Sequence, residues 1–434
     1  MRARQSSFPP EEFRSFGESL ERSGTLRKLS VTHGRVPFVS RFRLAPTPEQ
    51  EAGLFRLCEH ARFVWNLALE QWSMWRPGRA AAPGYGAQSA QLTAARAETE
   101  WLRAGSQTVQ QQALRDFQQA VSNFYNGTHR RPTWRRAGRH EGFRIVGRQA
   151  QRVERLSRKW GRALVPKVGW VRFRLSRALP NAKSYRVARD RAGRWHLAFA
   201  VIPDHIEVHG TGVVGIDRGV VVSAALSTGE LLKAPGLSST ERARLLRLQR
   251  RLARAQRGSH RRANLRAAIA KLKAREVDRR QNWTEQTSTD LARRFDVLGV
   301  EDLRITQMAR SARGTIQKPG RNVRQKAGLN RGIMANAWGM LVRRLEQKAP
   351  GRVVKINPAY TSQTCSRCGT VDREARESQA VFRCRSCGYA ANADVNAARN
   401  IAVRTIAAGR AVTARRDLGV SRSAKREPQL AASV

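Results

Sequence analysis

The chain is short of acid. Only 33 of its 434 residues are Asp or Glu, against 82 Lys and Arg, which leaves a formal net charge of +49. An excess of one sign repels itself when the chain compacts, so a large polyanion is the expected partner. Long apolar runs are missing too. None approaches the roughly eighteen residues of a membrane span, so the expected polyanion is nucleic acid and no membrane partner is expected. Arg2 and Arg4 are not followed by an apolar stretch, which argues against a secretory signal. Cysteine is scarce. Four of the five stand in a metal-ligand pattern and Cys58 is alone, which fits a reducing, cytoplasmic compartment. The length allows about two to four domains.

The four grouped cysteines are the clearest local signal. Cys365-x-x-Cys368 and Cys384-x-x-Cys387 are fifteen residues apart, and Gly369 or Gly388 follows each pair. Two such knuckles place four thiolates around one structural Zn²⁺, and the glycines let the backbone turn behind each pair. Two redox or disulfide pairs are the weaker alternative. Just beyond, Asp394 opens the helical pattern ADVNAARNIAVR, where it could serve simply as a helix cap.

Residues 1–36, with Pro9-Pro10 and scattered charge, are expected to form a flexible arm. A strand follows at about residues 39–45. Thr47 and Pro48 then open a helix that runs to about Trp75. Further helices are predicted over 87–102 and 106–125. On the last of these, Gln107, Gln110 and Gln111 lie opposite Val109, Ala113, Phe117 and Val121. Glutamine amides can read adenine edges in the major groove through paired hydrogen bonds; an ordinary polar face is the alternative. A basic linker carrying Trp134 leads to several short strands, predicting a small barrel that the strand at 39–45 joins. Cys58 and His60, on the first helix, are expected to be structural.

From Gly212 onward strands and helices are mixed. VVGID ends in Asp217 and VLGVE ends in Glu301. Between them, Ser238 and Glu241 form a capping box for a helix exposing Arg247, Arg250, Arg251 and Arg254, where phosphate contact is preferred over a merely solvated face. A second basic helix spans about 261–294. A basic loop is predicted over 304–328, then one amphipathic helix over 333–348 with Met334, Trp338, Leu341 and Leu345 inward. The tail beyond 408 is expected to be disordered.

Strands ending in carboxylates supply what a hard cation needs: oxygen ligands on a rigid rim. Two Mg²⁺ ions held by Asp217, Glu301 and Asp394 would orient a water and stabilise the leaving oxygen in phosphodiester hydrolysis, the arrangement of a ribonuclease-H-like nuclease. Three capping or salt-bridging acids are the alternative.

GIDRG, VEDL, NPAYTSQTCSRCG, FRCRSCG and DVNAARNI closely resemble the RuvC motifs and zinc ribbon of the transposon-encoded TnpB nucleases and the type V CRISPR effectors. SRFRLAPTPEQEAGL and ARFVWNLALEQW resemble the TnpB N-terminal signature, so the similarity spans about residues 38 to 405. The resemblance implies a multidomain α+β fold. A wedge β-barrel (37–46 and 140–211) carries an inserted helical recognition domain (47–139). A RuvC nuclease (212–359 and 389–408) follows, interrupted by a zinc-ribbon target-binding module (360–388), with a tail over 409–434. The implied activity is that of an RNA-guided DNA endonuclease, with guide RNA and double-stranded DNA bearing a flanking motif as partners. Either a monomer or an asymmetric dimer would sit on one RNA. In relatives the flank readers fall where Tyr85, Gln107 and Gln111 stand here, and from glutamine chemistry the flanking motif is expected to include adenine. A guided DNA-binding repressor without cleavage, or an unguided nuclease, would use the same scaffold. Two departures stand out. Arg218 follows the first acid where many TnpB chains have an aliphatic residue, and Asn392 replaces an acid two residues before Asp394.

Overall fold

The computed structural model describes residues 38–423 except 77, 79, 182 and 202–205, with side chains described as far as residue 408. The arm expected at 1–36 and residues 424–434 lie outside the described residues.

Strand β1 (Phe38–Ala45) alternates exposed and buried side chains, with Phe42 and Leu44 inward. A capping box then opens α1 (Pro48–Ser73): the Thr47 hydroxyl accepts from the Gln50 N–H, and Gln50 Oε1 accepts from the Thr47 N–H. The single helix predicted over 87–102 is two, α2 (Tyr85–Glu98) and α3 (Glu100–Ala104), parted where β-branched Thr99 is extended. The unit ends with α4 (Gln107–Tyr125), capped by Ser106.

Six strands follow: β2 (Gly142–Val146), β3 (Val153–Arg155), β4 (Trp160–Val165), β5 (Gly169–Arg174), β6 (Ser184–Arg189) and β7 (Trp195–Val201). With β1 they make an antiparallel sheet of order β2-β6-β7-β1-β5-β4-β3, curled into a half-barrel. The first strand in the chain is central in this sheet, paired with β7 and β5, so the helices leave the sheet after β1 and the chain returns at β2. One core joins them: Phe42, Phe173, Tyr185 and Phe199 from the sheet meet Leu54, Val64 and Phe117 from the helices. The basic linker is strapped to α1. Trp65 Nε1 donates to the Thr133 carbonyl, Asn66 exchanges two hydrogen bonds with the Arg135 backbone, and the Arg135 guanidinium lies 3.7 Å above the Trp65 ring. Trp134 is left exposed.

The second sheet begins with β8 (Val213–Asp217), β9 (Ala224–Leu226) and β10 (Leu231–Leu232). Two long helices follow, α5 (Ser239–Arg254), opened by the expected Ser238–Glu241 capping box, and α6 (His260–Arg294). Leu245 and Leu248 of α5 pack on Leu265 and Leu272 of α6, and the arginines of α5 are exposed. Next come β11 (Val297–Glu301), α7 (Ile305–Met308), α8 (Val323–Ala335), α9 (Trp338–Lys348) and β12 (Val353–Ile356). A hairpin of β13 (Val381–Arg383) and β14 (Ala390–Asn392) leads into α10 (Ala393–Ser423). The sheet order is β10-β9-β8-β11-β12, with β8, β11 and β12 parallel. Among the described residues no helix is long and apolar enough to cross a membrane.

Four expectations about this part are corrected. The region read as loop up to residue 328 already contains α8, and the helix predicted over 333–348 breaks at Asn336 and Ala337, the latter at φ +56°. The break is set by a distant contact: the Asn336 amide donates to the Val220 and Gly332 carbonyls, and its oxygen accepts from the Ser223 hydroxyl. Met334, expected inward, is therefore exposed, and Ile333 is buried. At the other end α10 runs on to Ser423 where disorder was expected beyond 408; its many Ala and Arg residues favour helix as well as solubility.

Alternation along β8 and β11 sends Val214, Ile216, Leu298 and Val300 to one face, where Leu291, Leu341 and Leu345 cover them. The other face carries Gly215 and Gly299. A Cβ at Gly215 would run into the Ala398 carbonyl of α10, and one at Gly299 would run into the Thr405 side chain. These glycines let α10 lie against the sheet. Gly215→Ala is expected to destabilise the protein by about 1–3 kcal/mol through overpacking, read as a lower unfolding midpoint. Gly236→Ala, whose added Cβ meets nothing within 4 Å, serves as control. Equal midpoints for the two variants would mean that α10 does not need the close approach.

Candidate metal centres and nucleic-acid interface

The two cysteine knuckles repeat one local geometry. Gly369 and Gly388 adopt φ of +79° and +70°, and their N–H groups donate to the Cys365 and Cys384 carbonyls. This folds each pair back on itself. The Sγ atoms of Cys365 and Cys387 are 3.8 Å apart, those of Cys368 and Cys384 are 3.6 Å apart, and all four lie within 4.8 Å of one another. A tetrahedral ion with Zn–S bonds of about 2.3 Å needs S–S edges of about 3.8 Å, so the cluster fits zinc. Hydrogen bonding with the Thr370 hydroxyl and backbone lowers the Cys368 thiol to about 6, whereas desolvation and the neighbouring thiols push Cys387 up to about 12, so the four sulfurs do not ionise independently. Phe382 and Ala375 fill the space behind the sulfurs.

The three acids converge for a reason visible in the strands. Asp217 and Glu301 end adjacent parallel strands and, by alternation, share the face of Gly215 and Gly299 on which α10 lies. Asp394 sits in the first turn of α10. It is not the cap. Asn392 Oδ1 accepts from the Asp394 and Val395 N–H groups at 3.0 and 3.2 Å, so the residue that departs from the family pattern caps this turn. The Asp394 carboxylate instead receives the Arg376 guanidinium of the zinc ribbon at 2.9 Å. Glu301 Oε1 accepts from the Thr361 hydroxyl at 2.6 Å. Arg218, the other departure, is buried and donates to the Glu301 backbone carbonyl, so it braces β11.

Burial, followed by the charges of Glu301 and Asp394, pushes Asp217 up to about 7. The three carboxylates thus repel one another, a condition that a bound cation relieves. The acids are less tightly drawn together than the sulfurs. Among the described residues the four cysteines are the one group of three or more potential ligand side chains with all donor atoms within 4.8 Å. Arg376 and Thr361 each hold one of the acids. Neither was singled out from sequence, because both lie in irregular segments without periodicity.

The three suspected flank readers come together. Tyr85, Gln107 and Gln111 line a cavity of about 450 Å³ with Ser89, Thr108, Gln112, Val146, Arg148 and Gln149, between α2, α4 and the end of β2. Gln110 does not join them. It is buried and donates to the Leu102 carbonyl, since it lies on the core side of α4. His60 stacks on Trp101 at 4.2 Å and also meets Gln110, and Cys58 is buried with its thiol pushed up by desolvation. Both are core residues. Arg247, Arg250, Arg251 and Arg254 are brought near neither the acids nor this cavity by any contact among the described residues; they form an exposed stripe on α5.

Over 397 residues the chain is 34% identical to the "Putative RNA-guided DNA endonuclease InsQ" of Escherichia coli (strain K12), a match covering 89% of this chain and 96% of that one. The chain belongs to the TnpB family. A second TnpB-type relative, the "Putative RNA-guided DNA endonuclease" of Streptomyces pristinaespiralis, is 32% identical over 412 residues, covering 90% of this chain and 96% of that one. A shorter stretch of 60 residues is 58% identical to the CRISPR-associated endodeoxyribonuclease Cas12f1 of Sulfoacidibacillus thermotolerans, covering 14% of each chain. Three family models match this TnpB chain in order: a "Helix-turn-helix domain" over residues 39–77, a "Probable transposase" over 196–312, and a "Cas12f1-like, TNB domain" over 338–401. The second spans Asp217 and Glu301; the third spans the cysteines, Arg376 and Asp394.

Proposed function

We propose that this TnpB-family protein is an RNA-guided DNA endonuclease. It holds a guide RNA that pairs with one strand of a double-stranded DNA target beside a short flanking motif, and it cuts the DNA by Mg²⁺-dependent phosphodiester hydrolysis of the RuvC type. One observation carries the nuclease reading: Asp217 and Glu301 end adjacent parallel strands beneath the helix that opens with Asp394, and Asp217 is raised to about 7 by burial and the other two acids. An isolated capping or salt-bridging acid would not have two further carboxylates adding to its burial, as Asp217 has.

The three carboxylates are the groups that would hold Mg²⁺, which when bound supplies an activated water and a counter-charge for the leaving oxygen. Arg376 neutralises Asp394 until a cation competes for that carboxylate. The zinc ribbon acts as a staple. The Ser366 N–H donates to Asn396 Oδ1, and the Asn396 and Asn400 amides donate to the Thr364 and Thr361 carbonyls, tying ribbon and preceding turn to the helix that carries Asp394. The cavity at Tyr85, Gln107 and Gln111 is assigned to the flanking motif, and the α5 arginines to phosphates of the bound nucleic acid. The names RNA-guided DNA endonuclease and Cas12f1 among the relatives support the guided reading.

The test uses the protein purified with its RNA. Sequencing that RNA gives the variable segment, and a duplex matching it is offered with Mg²⁺. A cut that requires the match is expected. No cut above an Asp217→Ala control would remove the nuclease reading, and cutting that survives removal of the RNA would remove the guided one.

A further inference from the structure

We propose that Gln111 reads a hydrogen-bond acceptor on the major-groove edge of a flanking base, guanine above all, and does not make the paired contact to adenine that glutamine usually makes. The inference rests on assigning the cavity to the flanking motif, and it concerns which base that cavity takes.

The reason lies in hydrogen bonds already made inside the protein. Adenine is read by an intact amide: the oxygen accepts from N6 and the NH₂ donates to N7. The oxygen of Gln111 is engaged. It accepts from the Tyr85 hydroxyl at 3.2 Å and from the Ser89 hydroxyl at 3.0 Å. This orientation of the amide is compatible with Arg115, whose Nε–H can only donate and does so to the Tyr85 oxygen at 3.0 Å. Arg115 takes none of the Tyr85 hydrogen-bond donation, so the hydroxyl hydrogen is left for Gln111, and the atom that stands there is the carbonyl oxygen. What half-buried Gln111 offers the cavity is its NH₂ alone.

The surroundings favour the same kind of ligand. Gln112 also has its oxygen occupied, by Arg144 Nη2 at 2.8 Å. Arg148 adds further donors, and no Asp or Glu lines the cavity. Guanine presents two acceptors, N7 and O6, on its major-groove edge. Thymine presents one, O4; adenine presents N7 but sets its amino group where guanine has O6, and cytosine presents an amino group alone, and Gln111 has no acceptor left for either amino group. Exposed Gln107 and Gln149 at the same cavity are not restricted in this way.

The experiment is a binding selection. RNA-loaded Asp217→Ala protein, which keeps the DNA uncut, is offered target-matched duplexes with a randomised flank, and the bound fraction is sequenced. One flank position should be enriched in guanine by about tenfold, the size of one good base contact. Gln111→Ala should flatten that position and no other. Replacing that guanine by 7-deazaguanine should weaken binding to a similar degree. The double variant Tyr85→Phe/Ser89→Ala keeps the ring packed but frees the amide oxygen, and it should move the preference towards adenine. Adenine enrichment at the position that Gln111→Ala flattens would overturn the inference. So would profiles unchanged by Gln111→Ala, or no flank preference at all. Cleavage by the wild-type protein is measured separately, so failure of the nuclease reading is told apart from failure of this one.

Discussion

Asp217→Asn is expected to lower RNA-guided cleavage by about a thousandfold or more while leaving binding of a matched duplex within about threefold. The substitution keeps the shape of the side chain and removes only its charge, and the residue lies away from the flank cavity. The same variant carries a stability signature that separates a metal-binding acid from a structural one. Asp217 titrates near 7 in the folded protein, well above an ordinary carboxyl, because burial and the two neighbouring acids disfavour its charge. Below about pH 4 it is protonated whether folded or unfolded and costs nothing. Between about pH 4 and 7 the unfolded chain releases the proton while the fold retains it, so stability falls as pH rises through that window and the full penalty is present above 7. Asparagine has no such penalty. Without divalent ions, Asp217→Asn should therefore melt above the wild type at pH 8 and level with it near pH 4, and Mg²⁺ should raise the wild type alone. A variant less stable than the wild type at both pH values, with or without Mg²⁺, would mark Asp217 as a structural acid.

Cys384→Ser should cost the protein its zinc and, with it, its activity. Cys384 is 2% exposed, sits in one small core with Cys365, Phe382 and Ala393, and its sulfur lies 3.6 Å from that of Cys368. Structural zinc contributes folding free energy directly, on the order of 10 kcal/mol or more in small ribbons, so three remaining thiolates cannot hold the ribbon in shape. The damage should reach the acids. Through Ser366, Thr364 and Thr361 the knuckle and the turn before it are bonded to Asn396 and Asn400 of α10, and Arg376 reaches Asp394 from the same module. Metal analysis should find one zinc per wild-type chain and close to none in Cys384→Ser, with cleavage reduced at least about a hundredfold. Cys58→Ser should keep the zinc, because that thiol is packed in the other core. Full zinc in Cys384→Ser would show that the four sulfurs are not one site.

Much of the site could be read from sequence because its signals act over short distances. Two Cys-x-x-Cys pairs followed by glycine specify a knuckle within five residues. Apolar strands ending in Asp217 and Glu301 place acids at a sheet edge whatever lies between them. Thr47 and Ser238 announce helix starts by a pattern four residues long. Where such local rules compete with a distant contact they lose. The periodicity of residues 333–348 is that of one helix, yet Asn336 is held by Val220 and Ser223, more than a hundred residues away, and the helix breaks. Gln110 and Gln111 are neighbours of the same type, and only the packing of α4 decides that one is core and the other faces the cavity.

The sequence by itself therefore marked the kinds of chemistry available: four cysteines spaced for one metal ion, acids at the ends of apolar strands, and a large excess of basic charge. Those depend on residue type, spacing and charge, which are local or additive. Tertiary structure alone decided how the groups are used. It bound Arg376 to Asp394, tucked Arg218 beneath Glu301, and occupied the oxygen of Gln111. Each of these is a choice of hydrogen-bond partner. A donor takes whichever acceptor the packed chain brings within about 3 Å, and for most of them that distance is set by sheet order and helix packing rather than by position in the sequence.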